Sequence, residues 1–256
     1  MSEGQIRIGI GGWTYPPWRG VFYPDKLPQT KELEYASRAL TAIEINSTFY
    51  GRQSPKSWAA WEKVAPEGFQ FAVKGSRYCV MRPKLADSAE GLAGFFAQGF
   101  AALGPKLGPI LWQFAARRKF DPDDIAAFID LLPQELDGMP LRHAIEPRHE
   151  SFQDEKFFDL CRARNVAIVF ADSDEYPCVD ADTADFSYAR LQRMREEIPS
   201  GYDEQSLDAF ADQACKWARR GDVYIFMING AKERAPAAAM EVIARVGGAR
   251  GGEASG

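Results

Sequence analysis

The chain has 256 residues, of which 46% are hydrophobic and 26% charged, and its formal net charge is −5. These proportions are ordinary for a globular protein and exclude collagen-like repeats and a fully disordered chain. No run of about 18 uncharged apolar residues occurs, so no membrane-spanning helix is expected. The negative net charge argues against nucleic-acid binding through bulk charge, although a local basic patch stays compatible with it.

The cysteines and histidines argue against several metal and redox sites. The four cysteines form no C-x-x-C pair, which excludes zinc-finger and thioredoxin spacings. Two histidines, His143 and His149, are too few for a histidine-rich zinc or iron centre. The N-terminus lacks the basic and apolar regions of a secretory signal, so we expect a cytoplasmic protein. Residues 247–256 are rich in glycine, and we expect a disordered tail.

Strand-like and helix-like segments alternate along the chain. β-Branched and aromatic runs predict eight strands, at 6–12, 42–46, 69–75, 109–114, 143–148, 167–172, 186–191 and 223–229. Helical patterns lie between most of them, at 29–40, 55–65, 88–103, 123–132, 155–165, 204–219 and 236–246. The sixth connection, 173–185, has no helical period, so this helix is expected to be missing or short.

Eight such repeats in about 250 residues are typical of an α/β TIM barrel, (β/α)8. No linker-like segment interrupts the series, and we expect a single domain over residues 6–246. The alternation alone does not exclude a doubly wound open sheet. No G-x-G-x-x-G motif follows the first strand, which argues against a dinucleotide site.

The phase of each strand predicts where its polar residues point. Side chains of a parallel barrel strand alternate between the helix layer and the barrel interior. In 42–46 the helix layer suits Ile43 and Ile45, which directs Glu44 and Asn46 inward. The same reasoning directs a further polar set inward near the strand C-termini: Lys74, Gln113, Glu146, Arg148, Asp172, Arg190 and Asn229. Active sites of these barrels lie at that end, so we expect a polar pocket there.

Three carboxylates and three cations cancel within this set. One interpretation is an ion-pair network that closes the barrel mouth. The other, compatible with it, is a pocket prepared for an anion or a polar substrate. Glu44, Glu146 and Asp172 offer oxygen ligands for magnesium or manganese, but the neighbouring cations disfavour a metal. We therefore expect no metal and no cofactor.

Aromatic residues follow the first two strands. Trp13, Tyr15 and Trp18 follow the first, and Phe49 and Tyr50 follow the second. Such side chains suit a sugar ring or a base by stacking, and packing against the first helix is the alternative.

The candidate residues suggest three chemistries. Glu44 and Glu146 could form the carboxyl pair of a glycosidase. Lys74 lies where a Schiff-base lysine would, but among carboxylates we expect it to keep its charge. His149, which follows Arg148, is a candidate base or a capping residue.

Several segments resemble, in order, motifs of the YecE-like family, the domain of unknown function 72. They are 11–15 (GGWTY), 18–24 (WRGVFYP), 44–50 (EINSTFY), 71–78 (FAVKGSRY), 107–113 (LGPILWQ), 145–149 (IEPRH) and 171–173 (ADS). The resemblance covers about residues 6–246 and implies a TIM barrel with a polar pocket at the strand C-termini, but no established activity. Departures at 79–81 (CVM), 190–193 (RLQR) and 228–230 (ING) remove two histidines and an aspartate of the family pattern.

These observations favour an enzyme acting on a small polar or anionic ligand, a sugar or a phosphate ester, although the sequence does not decide whether the chain is catalytic. The candidate catalytic residues are Glu44, Glu146 and Lys74. The candidate ligand-binding residues are Trp13, Tyr15, Asn46, Tyr50, Arg77, Gln113, Arg148, His149, Asp172, Arg190 and Asn229. The alternative is a non-catalytic barrel that binds a nucleotide or nucleic acid through Trp13, Tyr15, Arg77 and the basic loop at 193–195. We expect no membrane partner, and the sequence does not determine the oligomeric state.

Overall fold

The structure, a computed structural model, describes residues 3–253. Its strands are β1 (Ile6–Gly11), β2 (Ala42–Ile45), β3 (Gln70–Lys74), β4 (Leu107–Gln113), β5 (Glu135–Leu136), β6 (Met139–Pro140), β7 (His143–Glu146), β8 (Val166–Ile168), β9 (Phe170–Asp172), β10 (Phe186–Leu191) and β11 (Asp222–Met227). Its α-helices are α1 (Glu32–Ala39), α2 (Ser47–Tyr50), α3 (Pro55–Val64), α4 (Arg77–Val80), α5 (Ala89–Phe96), α6 (Pro122–Asp130), α7 (Glu155–Ala163), α8 (Glu204–Ala218) and α9 (Ala235–Glu253). Short 3-10 helices lie at Pro16–Trp18, Gln29–Lys31, Leu85–Ser88, Phe100–Lys106, Glu150–Phe152 and Lys232–Arg234.

Nine strands form one parallel sheet in the order β8-β7-β4-β3-β2-β1-β11-β10-β9. The two end strands, β8 and β9, are separated in the chain by Val169 alone. They are therefore two halves of the sixth barrel strand, the first paired with β7 and the second with β10. The backbone N–H of Val169 donates to the carbonyl of Ile145 at 2.9 Å, which continues the ladder between the halves. The sheet thus closes around eight strand positions, and the predicted TIM barrel is confirmed.

The connections follow much of the sequence pattern, and two features depart from it. Residues 173–185 contain no helix, as expected. The predicted helix at 88–103 ends at Phe96, because Gly99 takes a left-handed conformation (φ +92°) that a continuing helix cannot accommodate. A small antiparallel hairpin, β5–β6, precedes β7 and was not predicted.

The last helix, α9, differs from the expected disordered tail. It continues to Glu253, so residues 247–253 are helical, whereas residues 254–256 lie outside the described residues. Extending an existing helix adds one hydrogen bond per residue and needs no new helix nucleus. This explains how the glycine-rich segment can continue the packed part of α9 as a helix. Among the described residues, no helix is both long and apolar enough to cross a membrane.

The barrel interior is filled by alternating small and large side chains. Its buried residues are Ala42, Ala72, Leu111, Ala144, Ala167, Val169, Phe186, Tyr188, Tyr224, Phe226 and Ile228. Alanines on four strands leave room for the aromatic rings of β10 and β11. On β1, a Cβ at Gly9 would lie 1.7 Å from the carbonyl oxygen of Ala42, so glycine permits the close approach of β1 and β2. A second, larger core fills the space between the sheet and the helices.

Candidate functional site

A buried arginine joins two carboxylates near the C-terminal ends of the strands. Arg190 of β10 donates through Nε and Nη2 to the two carboxylate oxygens of Glu44, at 3.1 and 3.2 Å. Its Nη1 donates to Glu146 Oε2 on β7. Arg190 is 2% exposed and both glutamates are fully buried. Their inward orientation follows the predicted strand phase.

Each carboxylate has further hydrogen-bond donors. The Tyr188 hydroxyl donates to Glu44 Oε2 at 2.7 Å. Glu146 Oε1 accepts from Gln113 Nε2 at 3.0 Å and from Arg148 Nε at 2.8 Å. The guanidinium of Arg148 also lies 4.2 Å from the ring centroid of Tyr176. The buried carboxylates are thus paired and hydrogen-bonded, the condition under which buried charge is tolerated.

The pKa values of these groups are displaced by burial and by one another. Burial would raise the pKa of the Glu146 carboxyl, but the charges of Arg190 and Arg148 and their hydrogen bonds lower it to about 2. Burial would lower the pKa of the Arg190 guanidinium, yet Glu146 and Glu44 hold it above its usual value. Burial and the charge of Glu44 raise the pKa of Tyr188. Near neutral pH, Glu146 is ionised, Arg190 is protonated and Tyr188 keeps its proton.

Next to this network lies a cavity of about 270 Å³, called here the mouth cavity. It is lined by Gly11, Trp18, Asn46, Tyr50, Lys74, Arg190, Met227, Ile228, Asn229, Lys232 and Ala235. The ionisable lining residues that carry charge are three cations, Lys74, Arg190 and Lys232, and the lining contains no carboxylate. Its volume is slightly below the roughly 300–1,000 Å³ of pockets for drug-sized molecules, so it suits a small ligand.

Lys74, the last residue of β3, presents its amine at this cavity. Its Nζ lies 4.6 Å from the ring centroid of Phe49, and no residue in the range 3–253 gives it a hydrogen bond or an ion pair. Burial and the charge of Arg190 lower its pKa to about 8, against the opposing effect of Glu44 and Glu146. The Glu44 and Glu146 charges thus do not hold the Lys74 pKa at its ordinary value of 10.5, although the ammonium form still predominates at neutral pH, as expected from the sequence.

A second lysine, Lys232, was not predicted. Its Nζ lies 4.6 Å from the ring centroid of Tyr15 and 5.7 Å from that of Trp18, whose Nε1 donates to the Lys232 carbonyl at 3.0 Å. Burial lowers its pKa. Lys232 begins a 3-10 helix beyond β11, where strand phase gives no direction. The sequence feature that could have identified Lys232 is its position in the loop after the eighth strand, because such loops contribute to the active sites of these barrels.

The remaining predicted residues divide between the cavity and other places. Asn46, Tyr50 and Asn229 line the mouth cavity, as expected. Asn229 reaches it through a left-handed backbone conformation (φ +60°) after β11, and its side-chain amide donates to Gln192 Oε1 at 3.0 Å. Gln113 and Arg148 do not line the cavity but hydrogen-bond to Glu146.

The inward direction predicted for Asp172 is wrong. The register pairs Arg190 with Ala171 and Leu191 with Asp172, so Asp172 faces the helix layer. There it accepts a hydrogen bond from the Tyr202 hydroxyl at 3.1 Å and pairs with Arg193. The sequence signal for this phase was Phe170, which packs outward on Trp217 with ring centroids 5.3 Å apart.

Three further predicted residues lie outside the mouth cavity. Trp13 packs edge to face on Trp61, with ring centroids 5.0 Å apart, in the outer core. Arg77 is exposed beside Tyr78. His149 Nδ1 accepts the backbone N–H of Ser151 at 3.1 Å and so caps a 3-10 helix. Tyr15 is also absent from the lining, although its ring centroid lies 4.6 Å from the Nζ of the lining residue Lys232.

No metal-binding group is assembled in the described part of the chain. Residues 3–253 contain no cluster of three or more histidine, cysteine, aspartate or glutamate side chains arranged to hold an ion. The oxygen trio considered from the sequence is separated because Asp172 points away from Glu44 and Glu146. Both of these carboxylates are already occupied by guanidinium groups.

Comparisons with known proteins agree with this architecture. The chain is similar in structure to a DUF72 family protein from Thermotoga maritima, with 21% identity, a TM-score of 0.77, and coverage of 95% of this chain and 99% of that chain. A DUF72 family protein from Enterococcus faecalis gives 15% identity, a TM-score of 0.75, and coverage of 95% and 96%. A xylose isomerase-like TIM barrel/4-hydroxyphenylpyruvate dioxygenase fusion protein gives 14% identity and a TM-score of 0.51, covering 94% of this chain and 42% of that chain.

At these identities the structural likenesses establish the fold alone. No curated protein matches the chain. Residues 7–254 match the family described as "Protein of unknown function DUF72". This match spans nearly the whole sequence and agrees with the motifs quoted above, so the chain belongs to the DUF72 family.

Proposed function

We propose that the mouth cavity binds a small anionic ligand, such as a phosphate ester or an acidic sugar. The observation that carries this proposal is the lining itself, which holds Lys74, Arg190 and Lys232 and no carboxylate. Cations that line a partly enclosed cleft attract an anion more strongly than the same charges fully exposed to water. The amides of Asn46 and Asn229 add neutral hydrogen-bond donors for hydroxyl or phosphoryl oxygens.

The charges around the cavity do not cancel. Beneath it, Glu44 and Glu146 are bound by Arg190 and Arg148. Lys74 and Lys232 remain, and no described carboxylate forms an ion pair with either. The mouth therefore carries two more positive than negative charges when both lysines are protonated. An anionic ligand would supply the missing negative charge.

The two glutamates serve this site best as positioning residues. A general acid must carry a proton at the working pH, and the Glu146 carboxyl, whose pKa is about 2, does not. Both glutamates are fully buried, and neither lines the cavity. Glu44 and Glu146 fix the Arg190 guanidinium from two sides of the barrel, which orients it before a ligand arrives. We therefore favour anion binding over the glycosidase pair considered from the sequence.

The test is titration calorimetry with inorganic phosphate, glucose 6-phosphate and glucose. We expect the two phosphates to bind more tightly than glucose, with an affinity that falls as salt rises. Lys232→Met should weaken phosphate binding about tenfold, which corresponds to about 1.4 kcal/mol. The matched control is Lys156→Met, because Lys156 is exposed on α7 and distant in sequence from every lining residue.

Two results would count against the proposal. One is the absence of binding by both phosphates to the intact protein. The other is equal phosphate affinity for Lys232→Met and Lys156→Met, which would show that charge at the mouth cavity does not hold the anion.

A further inference from the structure

Lys74 lines the mouth cavity, and no described residue forms a hydrogen bond or an ion pair with its amine. We propose that this amine forms a covalent imine with an aldehyde or ketone that also carries an anionic group. The inference rests on the proposed function, because the anionic group would occupy the same cationic cavity. It assigns Lys74 a chemical role and narrows the ligand to an anionic carbonyl compound.

Imine formation requires a neutral amine with a free lone pair, and the surroundings of Lys74 favour one. The Phe49 ring, whose centroid lies 4.6 Å from Nζ, attracts the ammonium form, and burial and the charge of Arg190 oppose this attraction. Both buried carboxylates are engaged by Arg190, so neither forms an ion pair with the Lys74 ammonium. A lysine that is desolvated and next to another cation is the arrangement that activates amine nucleophiles.

The pKa of Lys74 agrees with this geometry. Burial and Arg190 lower it from 10.5 to about 8. At pH 8 about half of the Lys74 amines are neutral, whereas an ordinary lysine with a pKa near 10.4 is neutral in well under about 1% of molecules. Lys74 should therefore react with a carbonyl group much faster than the exposed lysines of the same chain.

The step balances without an oxidant or a reductant. The Lys74 nitrogen attacks the carbonyl carbon and forms a C–N bond, giving a carbinolamine. The carbonyl oxygen then leaves as one molecule of water, with both hydrogens derived in net terms from the amine. The product is a C=N double bond between Lys74 and the ligand, and hydrolysis reverses it.

The other lining cations define the ligand class. Lys232 is held beside Tyr15 and Trp18, and Arg190 is fixed by its two carboxylates. Arg190 stays protonated and cannot act as the amine. Burial alone lowers the pKa of Lys232, whereas Lys74 is also next to the charge of Arg190, so we assign Lys232 to the phosphate or carboxylate and Lys74 to the carbonyl group. The 270 Å³ volume suits a short chain, such as a triose or tetrose phosphate in its open carbonyl form.

The test traps the imine with sodium cyanoborohydride, which reduces it to a stable secondary amine. The probes are glyceraldehyde 3-phosphate and glyceraldehyde at pH 8, and labelling is read by intact mass and by peptide mapping. We expect one dominant adduct of the phosphorylated probe at Lys74, at least tenfold above the labelling of any other lysine. Lys156→Met should leave this adduct unchanged.

Two variants separate the possible failures. Lys74→Arg removes the reactive amine while keeping a positive charge at the cavity, so the adduct should disappear and no other lysine should take its place. Lys232→Met should keep the Lys74 adduct with glyceraldehyde but lose the preference for the phosphorylated probe.

The outcomes discriminate between the two proposals. Phosphate binding by the intact protein without a Lys74 adduct would overturn the imine and leave the anion site standing. Phosphate binding together with labelling spread evenly over the lysines would also overturn the imine and leave the anion site standing. Absence of both phosphate binding and the adduct would overturn the proposed function together with the imine.

Discussion

Arg190→Met removes the group that joins Glu44 to Glu146, and its cost follows from what each carboxylate has left. Removing one partner of a buried ion pair typically costs about 3–5 kcal/mol, because the other charge stays buried. Glu146 keeps Arg148 at 2.8 Å and Gln113 at 3.0 Å. Glu44 keeps only the Tyr188 hydroxyl among its described donors. We therefore expect a loss near the lower end, about 3 kcal/mol, arising mainly at Glu44.

Urea unfolding followed by tryptophan fluorescence measures this loss as a fall in the free energy of unfolding. The matched control is Arg162→Met, because Arg162 forms exposed ion pairs with Glu155 and Asp159. Such surface pairs contribute about 0–1 kcal/mol, so the control should stay close to the parent protein.

A second substitution tests the cause. In the double variant Arg190→Met, Glu44→Gln, the unpaired charge at Glu44 is gone, so part of the lost stability should return. The reasoning is refuted if Arg190→Met costs no more than Arg162→Met. It is also refuted if the double variant is less stable than Arg190→Met alone.

Three further predictions concern pH and the corrected strand phase. Because the folded-state pKa of Glu146 is lowered from 4.5 to about 2, its contribution of about 3 kcal/mol is complete above pH 4.5 and is lost as pH falls toward 2. Urea unfolding of Glu146→Gln in this range should show a shallower pH dependence, and an unchanged slope would contradict the assignment. Burial lowers the pKa of His143 from 6.5 to about 4, so stability should fall as pH drops from 6.5 to 4, and His143→Gln should flatten this region. Asp172→Asn should reduce the free energy of unfolding while leaving phosphate affinity unchanged, since Asp172 faces Tyr202. Weaker phosphate binding by this variant would contradict the outward direction of Asp172.

The sequence was sufficient where strand phase was strongly marked. Ile43 and Ile45 of β2 pack in the outer core, which left Glu44 to the interior, and Arg190 and Glu146 followed the same rule. Eight alternating strands and helices predict a TIM barrel, in which the C-terminal ends of the strands, and therefore these three residues, lie together at one end. The alternation of side chains predicted the inward direction because shifting a strand by one residue would have turned its charged side chains toward the helices and buried them there.

The prediction failed where strand phase was weak or absent. The sixth strand is divided at Val169 and ends two residues after Phe170, so a short apolar run gave Asp172 no clear direction. Lys232 lies in a 3-10 helix after β11, where side-chain direction depends on the turn rather than on alternation. The lowered pKa of Lys74 also could not be predicted, because it depends first on how deeply the side chain is buried and then on the charge of Arg190 beside it.

The distribution of charge in the mouth explains why so many ionisable groups occupy one place. Arg190 uses Nε and both terminal nitrogens on Glu44 and Glu146, so its positive charge is largely compensated where it is buried. The uncompensated charge therefore belongs to Lys74 and Lys232 at the cavity wall. Each of these lysines is partly buried, and burial without a paired carboxylate is unfavourable for a charged amine. A purely structural network would have no need of them, since apolar residues of similar volume can replace buried charges without loss of stability. The lysines are best understood as contacts for a negatively charged group that the chain itself does not provide.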